Sequence, residues 1–210
     1  RLRLAVRSPA PIDPLAARRW AETQARLVSR YNTHKVSGTG RTLASYGEVR
    51  RAMETTSDPV ELARLWNGWQ DVGHGLINDY AEFAALSRTG ANALGFNDVG
   101  ELWRSTYDMP PQELAADAER LWAEVKPLYV QLQCFARTRL AQTYGTTVQP
   151  AAGPIRIDLT RNPMGMYWVG AYDLIAGELP KPSYDLDKIL ESRRPSGREM
   201  TGYADRFWAS

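Results

Sequence analysis

Apolar residues recur at three- and four-residue steps along most of the chain, a spacing that places them on one face of an α-helix. The clearest such segment begins at Asp58, where an acidic N-cap, a proline at the first helical position and Glu61 coincide. The pattern predicts a long helix whose indoles pack in a core. It also continues past His74, so the flanking Gly73 and Gly75 are expected to serve close helix packing. The apolar stripe comprises Leu62, Leu65, Trp66, Trp69, Val72, Leu76, Tyr80 and Phe83.

A second long helix is predicted from Pro111 to Tyr144, with Gly145 as its C-terminal cap. Pro127 lies inside the pattern. Because proline lacks a backbone donor and collides with the preceding turn, we expect a kink there and not a domain boundary. The apolar stripe comprises Leu114, Ala118, Leu121, Trp122, Val125, Leu128, Leu132, Phe135 and Leu140.

Shorter helical patterns occupy about 13–31, 45–54, 164–176 and 197–208, and residues 37–40 form a turn rich in small residues. The alternation typical of strands is almost absent. The sequence therefore predicts an all-α fold in one domain spanning 1–210. Arg1 in place of an initiating Met, and an apolar end at Phe207 and Trp208, suggest a chain cut at both ends.

Composition excludes several classes of partner. The chain has 26 Lys and Arg against 24 Asp and Glu, and the basic residues are scattered among acids, so nucleic acid is not an expected partner. A run of about 18 apolar residues, as a transmembrane helix needs, is absent from the sequence. The single cysteine, Cys134, excludes an internal disulfide and is expected to be a small core residue.

Candidate catalytic groups are sparse. A helical zinc peptidase needs two histidines one turn apart with a Glu between them, but His34 and His74 are far apart and neither lies in H-E-x-x-H. Both are expected to be exposed or hydrogen-bonded. Nucleophile elbows and phosphate-binding glycine loops are also missing from the sequence. No catalytic residue and no metal ligand is assigned to this chain.

Three segments, taken together, resemble the N-terminal part of the angiotensin-converting-enzyme family of zinc peptidyl-dipeptidases. Residues 65–71 read L-W-N-G-W-Q-D, similar to L-W-x-G-W-x-D. Residues 95–107 read G-F-N-D-V-G-E-L-W-R-S-T-Y, similar to G-[FY]-x-D-x-G-x-x-W-R-S-x-Y. The third segment runs from Leu121-Trp122 through P-L-Y at 127–129 and Arg137 to Tyr144-Gly145, and continues into G-P-I at 153–155. Order and spacing agree over about 45–175.

The resemblance implies a fold of long kinked helices that form part of an ellipsoidal peptidase domain around a central cleft. It implies zinc in the complete protein, on an H-E-x-x-H motif beyond Ser210, and chloride as a further ion. It also implies an oligopeptide substrate, the remainder of the catalytic domain as a partner, and export from the cell, although the chain shows no signal for export. The chain alone should be inactive.

Two positions bear on the family's anion sites. Tyr107 matches the anion-binding tyrosine of W-R-S-x-Y, whose hydroxyl donates to chloride. The alternative is a buried tyrosine bonded to backbone. Gln70 stands where some members have an arginine that serves another chloride, and a neutral amide cannot replace that charge.

The segment after Ile155 departs from the family. Members usually continue P-A-H-L-L-G-N-M-W-A-Q-x-W, whereas this chain reads R-I-D-L-T-R-N-P-M-G-M-Y-W at 156–168. A gap-free comparison keeps Asn162, Trp168, Tyr172 and Asp173, and it places Met166 where the family has a glutamine that binds the peptide's carboxylate. Methionine cannot donate a hydrogen bond, so the loss of that contact costs about 1.5–3 kcal/mol.

Three interpretations remain open at this level. The first is a peptidyl-dipeptidase that removes C-terminal dipeptides and has an altered specificity. The second is a catalytically inactive family member that binds peptides or other proteins. The third is an unrelated helical scaffold.

Overall fold

The computed structural model describes residues 8–38, 40–177 and 183–209, and helices dominate them. The α-helices are α1 (Pro14–Thr33), α2 (Tyr46–Thr55), α3 (Pro59–Ala93), α4 (Val99–Arg104), α5 (Pro111–Tyr144), α6 (Tyr172–Ala176), α7 (Leu186–Arg193) and α8 (Gly197–Ala209). Two 3₁₀ turns lie at Ile157–Thr160 and Val169–Ala171. The prediction of an all-α fold is confirmed, since the described strands form only one short hairpin.

Side-chain caps explain why the predicted helices begin where they do. Asp13 accepts a hydrogen bond from the Ala16 backbone N–H at 2.8 Å, and Asp58 accepts one from Val60 at 3.0 Å. Each cap satisfies a backbone donor that the first helical turn leaves without a partner. α3 is continuous across Gly73 and Gly75, as predicted. α5 is likewise continuous across Pro127, and the kink there stays a prediction.

The predicted helical run at 164–176 is wrong in its first part. Helical structure begins only at Val169, in a 3₁₀ turn that leads into α6. Gly165 has a φ of +68°, in the left-handed region, and an α-helix cannot continue through such a residue. Pro163 also lacks a backbone donor. The preceding segment is therefore a loop.

A β-hairpin occupies the position of the predicted turn at 37–40. β1 (Val36–Gly38) and β2 (Arg41–Leu43) pair antiparallel, with Val36 opposite Leu43. Strands of three residues are too short to show an alternating pattern in the sequence. Val36 and Leu43 are both buried, so the hairpin contributes to the core.

The core forms where α3 meets the hairpin, α2, the end of α5 and the first 3₁₀ turn. Trp69 is at its centre, 2% exposed, with the rings of Tyr31, His34 and Tyr46 at 5.4–5.8 Å. The predicted core position of the indoles is confirmed for Trp69, while Trp66 is half-buried. The buried members are Val36, Leu43, Val49, Met53, Leu62, Leu65, Trp69, Leu140 and Leu159.

The prediction that Gly73 and Gly75 allow close helix packing is wrong. A Cβ at either position would meet no atom within 4 Å, because both face open space. Close approach occurs instead at two other glycines of α3. A Cβ on Gly68 would lie 2.8 Å from the side chain of Val36, and one on Gly90 would meet the backbone of Pro9 and Ala10.

Most of the apolar stripe of α5 is exposed. Only Ala136 and Leu140 of this helix are buried, and Leu128 is 74% exposed. Cys134 is exposed as well, so its prediction as a core residue is wrong: it lies on a helix segment that the rest of the described chain does not cover. No helix in the described parts of the chain is both long and apolar enough to cross a membrane.

The chain divides into two compact units, Arg1–Ile175 and Ala176–Ser210. The first contains the core. In the second, α7 and α8 have no buried residue, and Met200, Tyr203, Phe207 and Trp208 are exposed on α8. The prediction of one domain over 1–210, the N-terminal helical portion of a peptidase domain, stays a prediction.

Acid should weaken the first unit through Glu48 at the start of α2. Its carboxylate accepts the Ala44 backbone N–H at 2.6 Å, and this bond, aided by the charges of Arg41 and Arg51, holds the pKa of Glu48 below its ordinary value of 4.5. A lowered folded-state pKa stabilises the fold above about pH 4.5, and the effect is lost as the pH falls through the lowered value. We expect the free energy of unfolding, measured in urea at pH values around and below 4.5, to depend less steeply on pH in Glu48→Gln than in the parent chain.

The matched control is Glu191→Gln, at an exposed position on α7. It should leave the pH dependence of the free energy of unfolding as it is in the parent chain. An unchanged slope for Glu48→Gln would show that the Ala44 contact contributes nothing to acid sensitivity.

Candidate functional site

A loop from Gly145 to Trp168 folds back against α3 and α5, and Gln149 organises its first half. The Gln149 side chain is 0% exposed. Its amide nitrogen donates to the carbonyls of Pro150 and Pro154 at 3.0 and 3.2 Å, and its oxygen accepts the Arg156 backbone N–H at 2.8 Å. One buried amide thereby satisfies backbone groups on both sides of the 150–154 turn.

Two arginines attach the same loop to the helices. The Arg137 guanidinium, on α5, donates to the carbonyls of Ala151 and Gly153, each at 2.9 Å. Arg156 donates to both carboxylate oxygens of the buried Asp158, at 3.1 and 2.6 Å, and to the Pro59 carbonyl at 3.2 Å. Its bonds to Asp158 raise the pKa of the Arg156 guanidinium, which therefore stays charged.

Replacing Gln149 with methionine keeps the approximate volume of the side chain and removes its three hydrogen bonds. Because this removes three part-buried hydrogen bonds from the turn, we expect the free energy of unfolding to fall by about 2 kcal/mol in urea titrations. Gln142→Met, at an exposed position on α5, is the control and should change it by less than about 0.5 kcal/mol. Equal effects of the two changes would contradict the role of Gln149.

The second half of the loop is fixed to α3 and turns sharply. The Gln70 side chain donates to the Pro163 carbonyl at 2.7 Å, and the Asn162 side chain accepts the Met164 backbone N–H at 2.8 Å. Next follows Gly165, where an added Cβ would collide with the side chain of Ile157. Only glycine fits this turn, which brings Met166 beside Ile157.

Between α5 and this loop lies an open cavity of about 570 Å³. The helix contributes Tyr129 and, one turn further on, Leu132 and Gln133, and all three line the cavity. The Gln133 amide donates to the Tyr129 hydroxyl at 2.8 Å. The loop contributes Pro154, Ile155, Ile157, Thr160, Gly165, Met166 and Trp168.

The predicted site residues do not all lie together. Met166 lines the cavity and is 68% exposed. Tyr107 lies elsewhere, in the turn after α4; its side chain is 61% exposed, and its backbone N–H donates to the Arg104 carbonyl at 3.2 Å. Tyr107 is thus not the buried tyrosine of the alternative interpretation. Gln70, in place of a chloride-binding arginine, serves to hold the loop.

Of the two histidines, His34 is bonded within the core region and His74 is exposed. His34 Nε2 lies 2.8 Å from the Gly68 carbonyl, and its ring packs on Trp69. His74 is exposed, with Nδ1 at 3.4 Å from an Asp71 carboxylate oxygen. Over residues 8–38, 40–177 and 183–209, no group of three or more His, Cys, Asp or Glu side chains is arranged to hold a metal ion. The described residues therefore do not fit a zinc site.

Sequence reasoning did not identify the Tyr129–Gln133 pair or Gln149. The four-residue spacing of Tyr129 and Gln133 on a predicted helix is a signal for the first. Nothing in the sequence marks Gln149, because its partners are defined only once the loop has folded.

Comparison with known proteins decides the family. A family model described as angiotensin-converting enzyme, a peptidase family, matches residues 3–210. The chain belongs to the angiotensin-converting-enzyme family. The prediction of this family from the three sequence segments is confirmed, and the interpretation as an unrelated scaffold is wrong.

Individual relatives agree with this assignment to the angiotensin-converting-enzyme family. The angiotensin-converting enzyme of Oryctolagus cuniculus is 30% identical over 98% of this chain, and that of Theromyzon tessulatum is 31% identical over 74%. The angiotensin-converting enzyme-like protein Ace3 of Mus musculus is 31% identical over 78%. The chain spans only 16%, 25% and 22% of the lengths of these relatives, respectively.

Proposed function

We propose that the complete protein containing this chain is a zinc metallopeptidase that removes C-terminal dipeptides from oligopeptides. The observation that carries the proposal is the family match over nearly the whole chain, together with an open apolar cavity beside α5 in the same segment. In this proposal the chain forms part of the wall of a peptide-binding cleft. Its residues orient the substrate and exclude water from it.

The zinc ion is proposed to lie outside this chain, since the described residues do not fit a zinc site. An H-E-x-x-H motif in the sequence beyond Ser210 would supply two histidines and a glutamate. Bound there, zinc would activate the attacking water and polarise the scissile carbonyl. The chain alone is therefore proposed to be inactive and to bind no zinc at one-to-one stoichiometry, which calorimetry of the purified chain can test.

The exposed stripe of α5 supports the remainder of the catalytic domain as the partner of this chain. Leu128 is 74% exposed, and Trp122 and Tyr129 pack edge-on at 5.4 Å without being buried. Contiguous exposed apolar patches on proteins mark interaction surfaces. The large exposed residues of the stripe are Leu121, Trp122, Val125, Leu128, Leu132 and Phe135, and Tyr129 on the same helix is also exposed.

The alternative function is that of an inactive family member that binds peptides. Met166 favours it, because methionine lines the cavity without offering a hydrogen-bond donor. Both functions share an oligopeptide ligand, and both are proposed for a protein exported from the cell. They differ in whether the bound peptide is cleaved.

The test is release of a dipeptide from an N-terminally blocked tripeptide by the complete protein, with and without a metal chelator. Cleavage that the chelator abolishes and added zinc restores is the result expected of the peptidase. A zinc-loaded protein that binds the tripeptide without cleaving it would establish the alternative. A coding sequence beyond Ser210 without H-E-x-x-H would refute the zinc peptidase.

We also propose that Tyr107 binds chloride. Its exposed hydroxyl has no hydrogen-bond partner among the described residues and is available as a donor. Tyr107→Phe in the complete enzyme should raise the chloride concentration needed for half-maximal activity by about tenfold, since one hydrogen bond to an anion is worth about 1.5–3 kcal/mol. Tyr184→Phe, at an exposed tyrosine outside the motif, is the control. An unchanged chloride dependence of Tyr107→Phe would show that Tyr107 does not bind the ion.

A further inference from the structure

A second cavity, of about 430 Å³, lies between the second half of α3 and the start of α4. Its volume is in the usual range for a site that binds a small molecule. Residues at three- and four-residue steps on α3 supply part of the lining, and α4 with its N-cap supplies the rest. The cavity shares no lining residue with the one beside α5. The lining residues are Tyr80, Phe83, Ala84, Ser87, Arg88, Asp98, Val99, Gly100 and Trp103.

Three aromatic rings in the lining give this cavity an apolar surface. Phe83 is fixed by Trp20 of α1, whose ring stacks on it at 5.4 Å and whose indole N–H donates to the buried Ser87 hydroxyl at 2.8 Å. Tyr80 and Trp103 are 63% and 61% exposed, so their rings keep surface that a ligand can cover. Because aromatic rings attract one another in offset and edge-on pairs, the cavity favours a ligand that carries a ring.

Two residues of opposite charge line the same cavity, Arg88 on α3 and Asp98 before α4. Within residues 8–38, 40–177 and 183–209, the Arg88 guanidinium has no hydrogen bond or ion pair, and Asp98 has no ion pair. One carboxylate oxygen of Asp98 accepts the Glu101 backbone N–H at 2.7 Å. The other oxygen is left to accept from a ligand. A cation and an anion are therefore both available to one bound molecule.

The neutral polar groups of the lining accommodate a ligand of either charge. The hydroxyls of Tyr80 and Ser87 can donate or accept, and the indole N–H of Trp103 donates. Arg104 lies outside the lining, although its Nη1 would be 2.9 Å from a Cβ on Gly100. A ligand with a single charge would meet a like charge in the lining as well as an opposite one. Only a ligand with both charges pairs with each.

We propose that this cavity binds a free α-amino acid with an aromatic side chain, in its zwitterionic form. The carboxylate pairs with Arg88, and the ammonium pairs with Asp98. The ring of the ligand packs against Tyr80, Phe83 and Trp103. A free amino acid carries both charges on one carbon atom, close to the ring, and its ammonium is also attracted by the aromatic faces of the lining. This site is additional to the peptidase function and does not rest on it.

The test uses the 210-residue chain itself, because the whole cavity lies within the unit Arg1–Ile175. The probes, at neutral pH, are L-phenylalanine and three analogues that each lack one of its groups. L-phenylalaninamide lacks the carboxylate, 3-phenylpropanoate lacks the ammonium, and L-alanine lacks the ring. Binding is followed by nuclear magnetic resonance at the indole N–H of Trp103, which lines the cavity. The indole of Trp208, in the other unit, is the internal control.

We expect phenylalanine to bind about tenfold more tightly than either analogue with a single charge, because each of these lacks one charge-assisted hydrogen bond. Alanine should not shift the Trp103 resonance. Equal affinities of phenylalanine and either single-charge analogue would overturn the inference of a zwitterion. If phenylalanine shifts neither indole, or shifts both equally, the cavity is not an amino-acid site.

Two variants test the charged residues separately. Arg88→Gln should bind phenylalanine and its amide equally, and Asp98→Asn should bind phenylalanine and 3-phenylpropanoate equally. Asparagine keeps an oxygen for the Glu101 N–H, so α4 keeps its cap. Arg51→Gln, at an exposed position on α2 outside the lining, is the control and should change none of the affinities. Identical effects of Arg88→Gln and Arg51→Gln would overturn the role of Arg88, and an unchanged preference in Asp98→Asn would overturn that of Asp98.

Discussion

Replacing Trp69 with alanine is expected to lower the free energy of unfolding of the first unit by about 3–5 kcal/mol, the range for large aromatic residues removed from cores. The indole is 2% exposed and contacts elements that are distant in the sequence. Its ring lies 5.4 Å from Tyr31 on α1 and 5.4 Å from Tyr46 on α2, so its removal leaves a cavity between three helices. Urea unfolding followed by circular dichroism measures the loss.

The control for this prediction is Trp103→Ala on α4. Trp103 is largely exposed, and its removal should cost less than about 1 kcal/mol. A loss at position 69 no larger than the loss at position 103 would mean that the core does not depend on the indole.

Gly90→Ala is expected to destabilise the first unit by about 3 kcal/mol, at the upper end of the range for overpacking. The new Cβ would lie 2.5 Å from the Ala10 carbonyl oxygen, and it would also collide with the backbone of Pro9. Backbone cannot move aside as the end of a flexible side chain can. Either the segment before α1 must leave α3, or the helix must shift. Chemical denaturation of the variant measures the cost.

Gly73→Ala on the same helix is the matched control. Its Cβ would meet no atom within 4 Å, and alanine is favoured over glycine in a helix interior, so this change should stabilise the unit by about 0.5–1 kcal/mol. The two substitutions are chemically identical and differ only in surroundings. Stabilisation by both would show that Pro9 and Ala10 are not packed against α3 in solution.

Which glycine of α3 is packed could not be predicted from the sequence. Gly73 and Gly75 flank a histidine and attract attention, yet they face open space. Gly68 and Gly90 give no signal in the pattern, because the atoms that approach them belong to β1 and to the segment before α1. Cys134 was wrongly predicted to lie in the core because cysteines are buried on average, and such an average does not decide burial at a single position.

The positions of the long helices were predicted well because their signals are local, whereas the short α4 and α7 were not predicted. An acidic residue followed by proline marks the start of α3 and α1, and a glycine marks the end of α5. Caps act within one turn of the residues they stabilise, so they can be recognised without knowledge of the fold. The hairpin and the 164–168 loop depend instead on packing against α3 and were missed.

The candidate site, too, could be predicted only in part from the sequence. Family resemblance, carried by motifs of the sequence, drew attention to Met166 and to Tyr107. It could not place the two relative to one another, and the structure puts Met166 in a cavity and Tyr107 in an exposed turn outside it. The pairing of Gln133 with Tyr129 and the buried amide of Gln149 became evident only in the folded chain.

The sequence by itself determined that the chain is all-α and where its long helices begin, because helix signals act over a few residues. It also determined the family, because the family motifs can be recognised without a structure. Tertiary structure alone decided which faces are buried. The stripe of α5 and the stripe of α3 have the same spacing, but the hairpin, α2 and the loop bury Leu62, Leu65 and Trp69 of α3, whereas most of the α5 stripe is exposed. Burial depends on what lies opposite, and that is a property of the assembled chain.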